Sequence, residues 1–226
     1  MAISARRTRA TTLRRAGPLR AVLRGFLLLA VIALLAGCSP TDAPAGLSSA
    51  ERAVIRSEIQ GAHWRVVTTR FPDARRPAVT VTHTVHDGNW QALIIACLRS
   101  EGFTVFVDGR YFQFGTTPDR GPEDFAVVSY VCLSRYPTAD EVMHYLDRDR
   151  LDALYRYYAG TVRPCLLLAG AESTPPPTRF AFVLSALSRN NWNSYRLAWD
   201  GAMPAARLAF LEQLCPPVPG WLDLAQ

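Results

Sequence analysis

The chain has 226 residues, 25 basic against 19 acidic, a net charge of +6, and 49% hydrophobic residues. That length gives room for one good-sized domain plus a targeting segment. The charge suggests nucleic acid or an acidic membrane as partner, but its placement excludes that reading. Arg6, Arg7, Arg9, Arg14, Arg15, Arg20 and Arg24 all precede Cys38, and no acidic residue does. From Cys38 onward 18 basic residues face 19 acidic ones, a net of −1. The domain is near neutral, and nucleic acid is not an expected partner, because non-specific affinity needs clustered cations.

The leader comes first in the chain. After Arg24 an uninterrupted apolar run covers residues 26–36, and the small pair Ala36-Gly37 precedes Cys38. The run is about half the roughly 20 residues that span a bilayer as a helix. It fits the apolar region of a secretory signal peptide. The residues after Arg6-Arg7 and Arg14-Arg15 fit a twin-arginine signal poorly. Leu35-Ala36-Gly37-Cys38 resembles the lipobox of bacterial lipoproteins. That resemblance implies a diacylglycerol on the Cys38 sulfur and cleavage just before it, and two acyl chains anchor stably. The expected organisation is a signal peptide at 1–37, a linker at 38–48 and a single extracytoplasmic domain at 49–226. The expected place is the outer face of the cell membrane, with the membrane itself a partner through Cys38.

Helices dominate the domain by pattern. Ser48-x-x-Glu51 is a capping box that opens a short helix. Trp90, Leu93, Ile94, Cys97 and Leu98 carry the spacing of an amphipathic helix that Gly102 would end. Phe125, Val128 and Cys132 repeat it behind Pro122, a good first-turn residue. Thr138-x-x-Glu141 is a second capping box. Leu151, Leu154, Tyr155, Tyr158, Val162 and Cys165 continue a stripe towards Gly170, with Pro164 predicting a kink or break. Leu208, Leu211 and Cys215 repeat the spacing behind Pro204.

Strands are fewer. Residues 78–85 alternate Val with Thr or His, the pattern of a half-buried strand. Residues 104–107 and 111–114 flank Asp108-Gly109, a strong hairpin signal. Residues 64–69 read as a further strand, with helix as the alternative. The predicted fold class is α+β: a small antiparallel sheet, including the 104–114 hairpin, covered by helices and stabilised by disulfides.

In an exported protein, Cys97, Cys132, Cys165 and Cys215 are expected to form two disulfides. No Cys-x-x-Cys pair points to zinc or redox chemistry. Three pairings are open. Neighbours in sequence are usually neighbours in space, which favours Cys97–Cys132 with Cys165–Cys215 over Cys97–Cys165 with Cys132–Cys215. "CLRSEG" at 97–102 and "CLLLAG" at 165–170 echo each other, which records a duplicated unit or, as we favour, two helices with similar endings.

"WQALIIACLRSEGF", "CLSRYP", "LYRYYAGTVRPCLLLAG" and "NNWNSY" together resemble a group of uncharacterised actinobacterial lipoproteins. The resemblance covers roughly residues 64–195, with Ser194 in place of a proline and Ala171 in place of an aromatic. It supports the localisation and the fold and implies no biochemical activity.

No catalytic residue, metal or cofactor is nominated. His83 and His86, with Asp87 adjacent, are the nearest approach to a metal site, but residues three apart on a strand face opposite ways. A solvent-facing or turn-capping role fits them better. Asp147, Asp149 and Asp152, interleaved with Arg148 and Arg150, read as a solvated helix start. There is no Gly-x-Ser-x-Gly, no phosphate loop and no lysine at all. Trp192, Tyr195 and Trp199 are candidates for an exposed aromatic ligand platform. The sequence therefore favours a non-catalytic, lipid-anchored domain that binds a protein, peptide or envelope component. The alternative is an envelope hydrolase assembled from distant His and Asp residues.

Overall fold

The capping box at Ser48 forms as the sequence requires. Ser48 Oγ accepts the Glu51 amide at 3.2 Å and the Glu51 carboxylate accepts the Ser48 amide at 2.8 Å. From that start, α1 runs over Ser49–Arg70, 22 residues, with Ile55, Ile59 and Val67 buried on one face. The computed structural model describes residues 46–108, 111–114, 120–186, 191–200 and 203–226. The leader, Cys38, most of the linker and the Gly109 turn position lie outside the described residues. So do the side chains of 107–119. After α1 come α2 (Asp87–Ser100), β1 (Val105–Asp108), β2 (Tyr111–Phe114), α3 (Pro122–Arg135), α4 (Ala139–Met143) and α5 (Arg148–Tyr157). A π-helical turn (Tyr158–Val162) leads into α6 (Arg163–Leu168). The remaining elements are α7 (Arg179–Ser185), α8 (Arg196–Asp200), α9 (Ala205–Leu214) and a 3₁₀ turn (Gly220–Leu222).

The α+β expectation is overturned. The described residues are mostly helical, with little strand. The strand residues are two four-residue segments, with Val105 opposite Phe114 and Asp108 opposite Tyr111. That ribbon is no sheet for helices to cover. Residues 64–69 are the last turns of α1, because a well-capped helix carries its apolar face on to Val67. Residues 78–83 alternate exposed and covered as a strand would, but Thr84 and Val85 are both buried, and only Val85 makes a bridge, to Thr138. The hydrogen bonds of this segment go elsewhere. The Thr82 and Val85 amides donate to the Arg135 and Pro137 carbonyls at the end of α3, at 2.8 and 2.9 Å.

Two helix ends explain the Cys-Leu-x-x-x-Gly echo. Gly102 and Gly170 have φ of +89° and +73°, which a glycine adopts without steric cost. Phe103 donates back to Leu98 and Gly102 to Arg99, while Ala171 donates to Leu166 and Gly170 to Leu167. Both are Schellman stops, in which the residue after glycine packs on the third from the helix end. Leu98 and Phe103, and Leu166 and Ala171, are buried accordingly. Each cysteine sits one residue before its buried leucine. The pairs are Cys97–Cys132 and Cys165–Cys215.

Pro164 does not break its helix. Its missing amide and its ring's clash with the carbonyl four residues back fall where the π turn widens the backbone, and the Arg163 amide reaches back to the Tyr158 carbonyl. Ser194 Oγ donates to the same carbonyl at 2.8 Å. The larger core gathers Leu154, Tyr158, Leu166, Phe182, Tyr195 and Leu211 among others. A smaller one holds Ile94, Leu98, Phe103 and Val105 around Cys97–Cys132. Among the described residues no helix is long and apolar enough to cross a membrane.

Candidate functional site

A polar stripe runs along α1 beside its apolar one. Arg52, Arg56, Gln60 and His63 recur every three or four residues, so they share a face, and each bonds a different part of the chain. Arg52 Nε donates to the Asp223 carbonyl at 3.1 Å and Arg56 to the Leu224 carbonyl at 2.5 Å. Gln60 donates to the Val79 carbonyl at 3.1 Å. His63 lies 2.7 Å from Glu141 and 3.4 Å from Ser134 Oγ. The C-terminal tail is tied to the extended segment as well. Asp223 Oδ1 accepts the Thr84 amide at 2.9 Å, and Thr84 Oγ1 accepts the Leu224 amide at 2.9 Å.

These three strips of chain line a cleft of about 430 Å³ that is open to solvent. Ala53, Arg56, Ser57 and Gln60 form one wall, Val79, Thr80 and Val81 the second, and Ala225 the end. The volume lies within the ordinary range for ligand sites. Among the lining residues Arg56 is the one charge, and it is positive. Among the described residues no hydrogen bond reaches the amides of Val79, Thr80 or Val81. The Val79 carbonyl accepts from Gln60, and in an extended segment the Val79 and Val81 amides face the same way, so the cleft offers a guanidinium beside these two amides.

The sequence nominated none of these residues. The signal was present in Ala53-x-x-Arg56-Ser57-x-x-Gln60, one helix face carrying small and polar side chains. The other wall lies in the predicted strand, whose lack of a partner no local pattern reveals.

The nominated aromatics sit elsewhere. Tyr195 is fully buried, and its hydroxyl donates to the Leu211 and Cys215 carbonyls at 2.7 and 2.5 Å. Burial first, then the charges of Glu212 and Tyr157, push that hydroxyl above the usual tyrosine range. Trp192 packs beside Tyr155, Tyr158 and Phe182 and donates to Thr174 at 2.9 Å. Trp199 stacks on His86 at 4.6 Å and on Tyr195 at 5.3 Å, those two rings being 6.5 Å apart, and donates to Glu212. The three rings pin the 191–200 segment to the core and present no common exposed face.

His83 stands edge-on to Tyr136 at 5.4 Å. His86 caps α2, with Nδ1 accepting the Gly88 amide at 3.0 Å and Nε2 lying 3.1 Å from Glu212. The two do not converge. Among the described residues no group of three or more His, Cys, Asp or Glu could hold a metal ion. Asp147 caps α5 through the Arg150 amide. Asp152 departs from the expected solvated helix start, being buried and paired with Arg179.

Ser134, His63 and Glu141 come together in the order of a nucleophile, base and acid. Ser134 is 1% exposed, however, so no substrate can meet its hydroxyl. The cluster locks α1 to α3 and α4. Burial is the largest influence on Glu141 and raises its pKa, but the bonds to His63 and Thr138 outweigh it and leave the carboxyl below its ordinary value. No protein-family model matches the chain, and no curated protein or solved structure matches it either.

Proposed function

We propose that the protein is a membrane-anchored extracytoplasmic lipoprotein whose domain binds a ligand in the cleft between α1 and the 79–81 segment. The anchor rests on Leu35-Ala36-Gly37-Cys38 closing an apolar run behind an arginine-rich stretch. The two cystines suit an oxidising compartment. The binding role rests on one observation, the cleft that sets Arg56 beside the unpaired Val79 and Val81 amides. Unpaired donors in a partly enclosed site are satisfied by water or by a ligand. The hydrolase alternative has its best support in the contacts Ser134–His63–Glu141 and His86–Glu212, and both are held inside the fold.

Metabolic labelling with a fatty-acid analogue tests the anchor: Cys38→Ala should abolish the label, and label retained on that variant would sink this part. A photo-crosslinking residue at Ser57, in cells carrying the intact chain, tests the binding role. An adduct from Ser57 that is absent with the same group at Glu123 on α3 is expected. Equal yields from both positions, or none from Ser57, would remove the cleft from consideration.

A further inference from the structure

The geometry points to an extended peptide bearing a carboxylate as the ligand of this cleft. This rests on the binding role proposed above and names the chemistry that the cleft selects. The segment 78–82 alternates exposed and covered side chains as a strand would and has no strand neighbour: Val81 is buried, Thr80 and Thr82 are exposed, and the bridge at Val85 comes only later in the chain. An extended peptide is the partner whose own carbonyls and amides repeat at the matching spacing of about 3.3 Å per residue, which is how strand addition gains affinity from main-chain bonds.

Charge fixes the second element. Arg56 has a guanidinium with five N–H donors, and one of its nitrogens bonds Leu224. The other donors line the cleft, with no acidic side chain among the lining residues. Asp223, two residues before the lining residue Ala225, has Oδ1 occupied by the Thr84 and Ala225 amides. A carboxylate is the group that a planar guanidinium holds best. An uncharged sugar would leave that donor set poorly matched.

The geometry also explains the choice of small residues on α1. Ala53 and Ser57 are exposed at the cleft, one turn apart, so the helix backbone lies close to whatever enters.

The test uses the full chain in detergent micelles. The probe is a pool of N-acetylated tetrapeptides with free carboxyl termini, against the same pool amidated, and acetate alone. Backbone hydrogen exchange reports on the site. The free-acid pool is expected to slow exchange at residues 79–81, and Arg56→Gln to weaken that protection about ten-fold or more, as loss of a charged hydrogen bond implies. Arg56 also holds the tail, so Ser57→Glu serves as a second variant: it sets a repelling charge beside the site on an exposed helix position. Ser57→Glu is expected to match the ten-fold loss with an unchanged melting temperature, and Glu123→Ala, exposed on α3 outside the cleft lining, to bind as the parent does. Equal protection by the amidated pool would overturn the carboxylate. Equal protection by acetate would overturn the peptide. Should the Ser57 crosslink form while neither pool protects residues 79–81, the inference falls and the binding role stands; should the crosslink also fail, both fall.

Discussion

The two cystines make the sharpest quantitative demand on this fold. They close loops with sequence separations of 35 and 50 residues. In the chain-entropy account each such closure restricts the unfolded chain by about 4 kcal/mol, against a net stability of roughly 5–15 kcal/mol for a whole domain. Removing one partner should therefore remove most of that amount, and removing the second partner of the same pair should add little. Cys97→Ala/Cys132→Ala is expected to fall within about 1 kcal/mol of either single variant, since contacting residues are not additive. Cys97→Ala/Cys165→Ala breaks both closures and should lose about 8 kcal/mol, enough to leave little folded protein in a marginal domain. The two bonds lie in different cores, the first in the small cluster and the second beside the large one, so the losses should be independent. Urea unfolding followed by far-ultraviolet circular dichroism reads all four variants. Near-additivity within the pair Cys97/Cys132, combined with strong coupling between Cys97 and Cys165, would refute the argument.

Three further outcomes follow from side-chain contacts. Tyr195→Phe removes a hydroxyl shared by the buried Leu211 and Cys215 carbonyls and should cost about 1–3 kcal/mol in the same unfolding assay; a change below a few tenths would contradict the burial. Gly88→Ala places a methyl into the Trp199 indole, so the α2 start must shift, with a loss of about 1–3 kcal/mol and altered tryptophan fluorescence. Glu141 has its folded pKa held below the ordinary 4.5, so its contribution is present above the unfolded value and is lost as pH falls through the folded one. Glu141→Gln should therefore flatten the decline in stability below about pH 4.5, measured as urea midpoints across that range; an unchanged slope would show that the His63 contact carries no such linkage.

What could be read from the sequence was what depends on neighbours a few residues away. Ser48 and Thr138 each meet a glutamate three residues on, and Gly102 and Gly170 stop helices because positive φ is a property of the residue itself. The Cys97–Cys132 pairing followed for a related reason, since α2 and α3 are successive helices, whereas Cys165 and Cys215 pair across the intervening α7 and α8. The sheet failed because alternation at 78–85 records which side chains are covered, not what the backbone bonds. Here the coverage comes from α1, the end of α3 and a tail some 140 residues away. The length of α1 was misjudged for the converse reason: Trp64, Val66, Val67, Thr68 and Thr69 favour strand individually, but they extend a helix already nucleated at Ser48, and extending a helix is far easier than starting one.

The same distinction governs the candidate site. Arg56 and Gln60 are ordinary surface residues by sequence, and Thr84 and Asp223 carry no motif. They become a site because a side chain of each bonds the backbone of another strip, so that a helix, an extended segment and the tail are held apart at a fixed spacing. Such bonds use up the polar groups at the edges of the cleft and leave those in the middle free. The aromatic residues, which composition singles out first, have the opposite fate: Tyr195 and Trp192 satisfy their polar atoms inside the domain and so have nothing left to offer a ligand. Among the described residues that line the cleft, the groups left for recognition are the Val79 and Val81 amides and the remaining donors of Arg56.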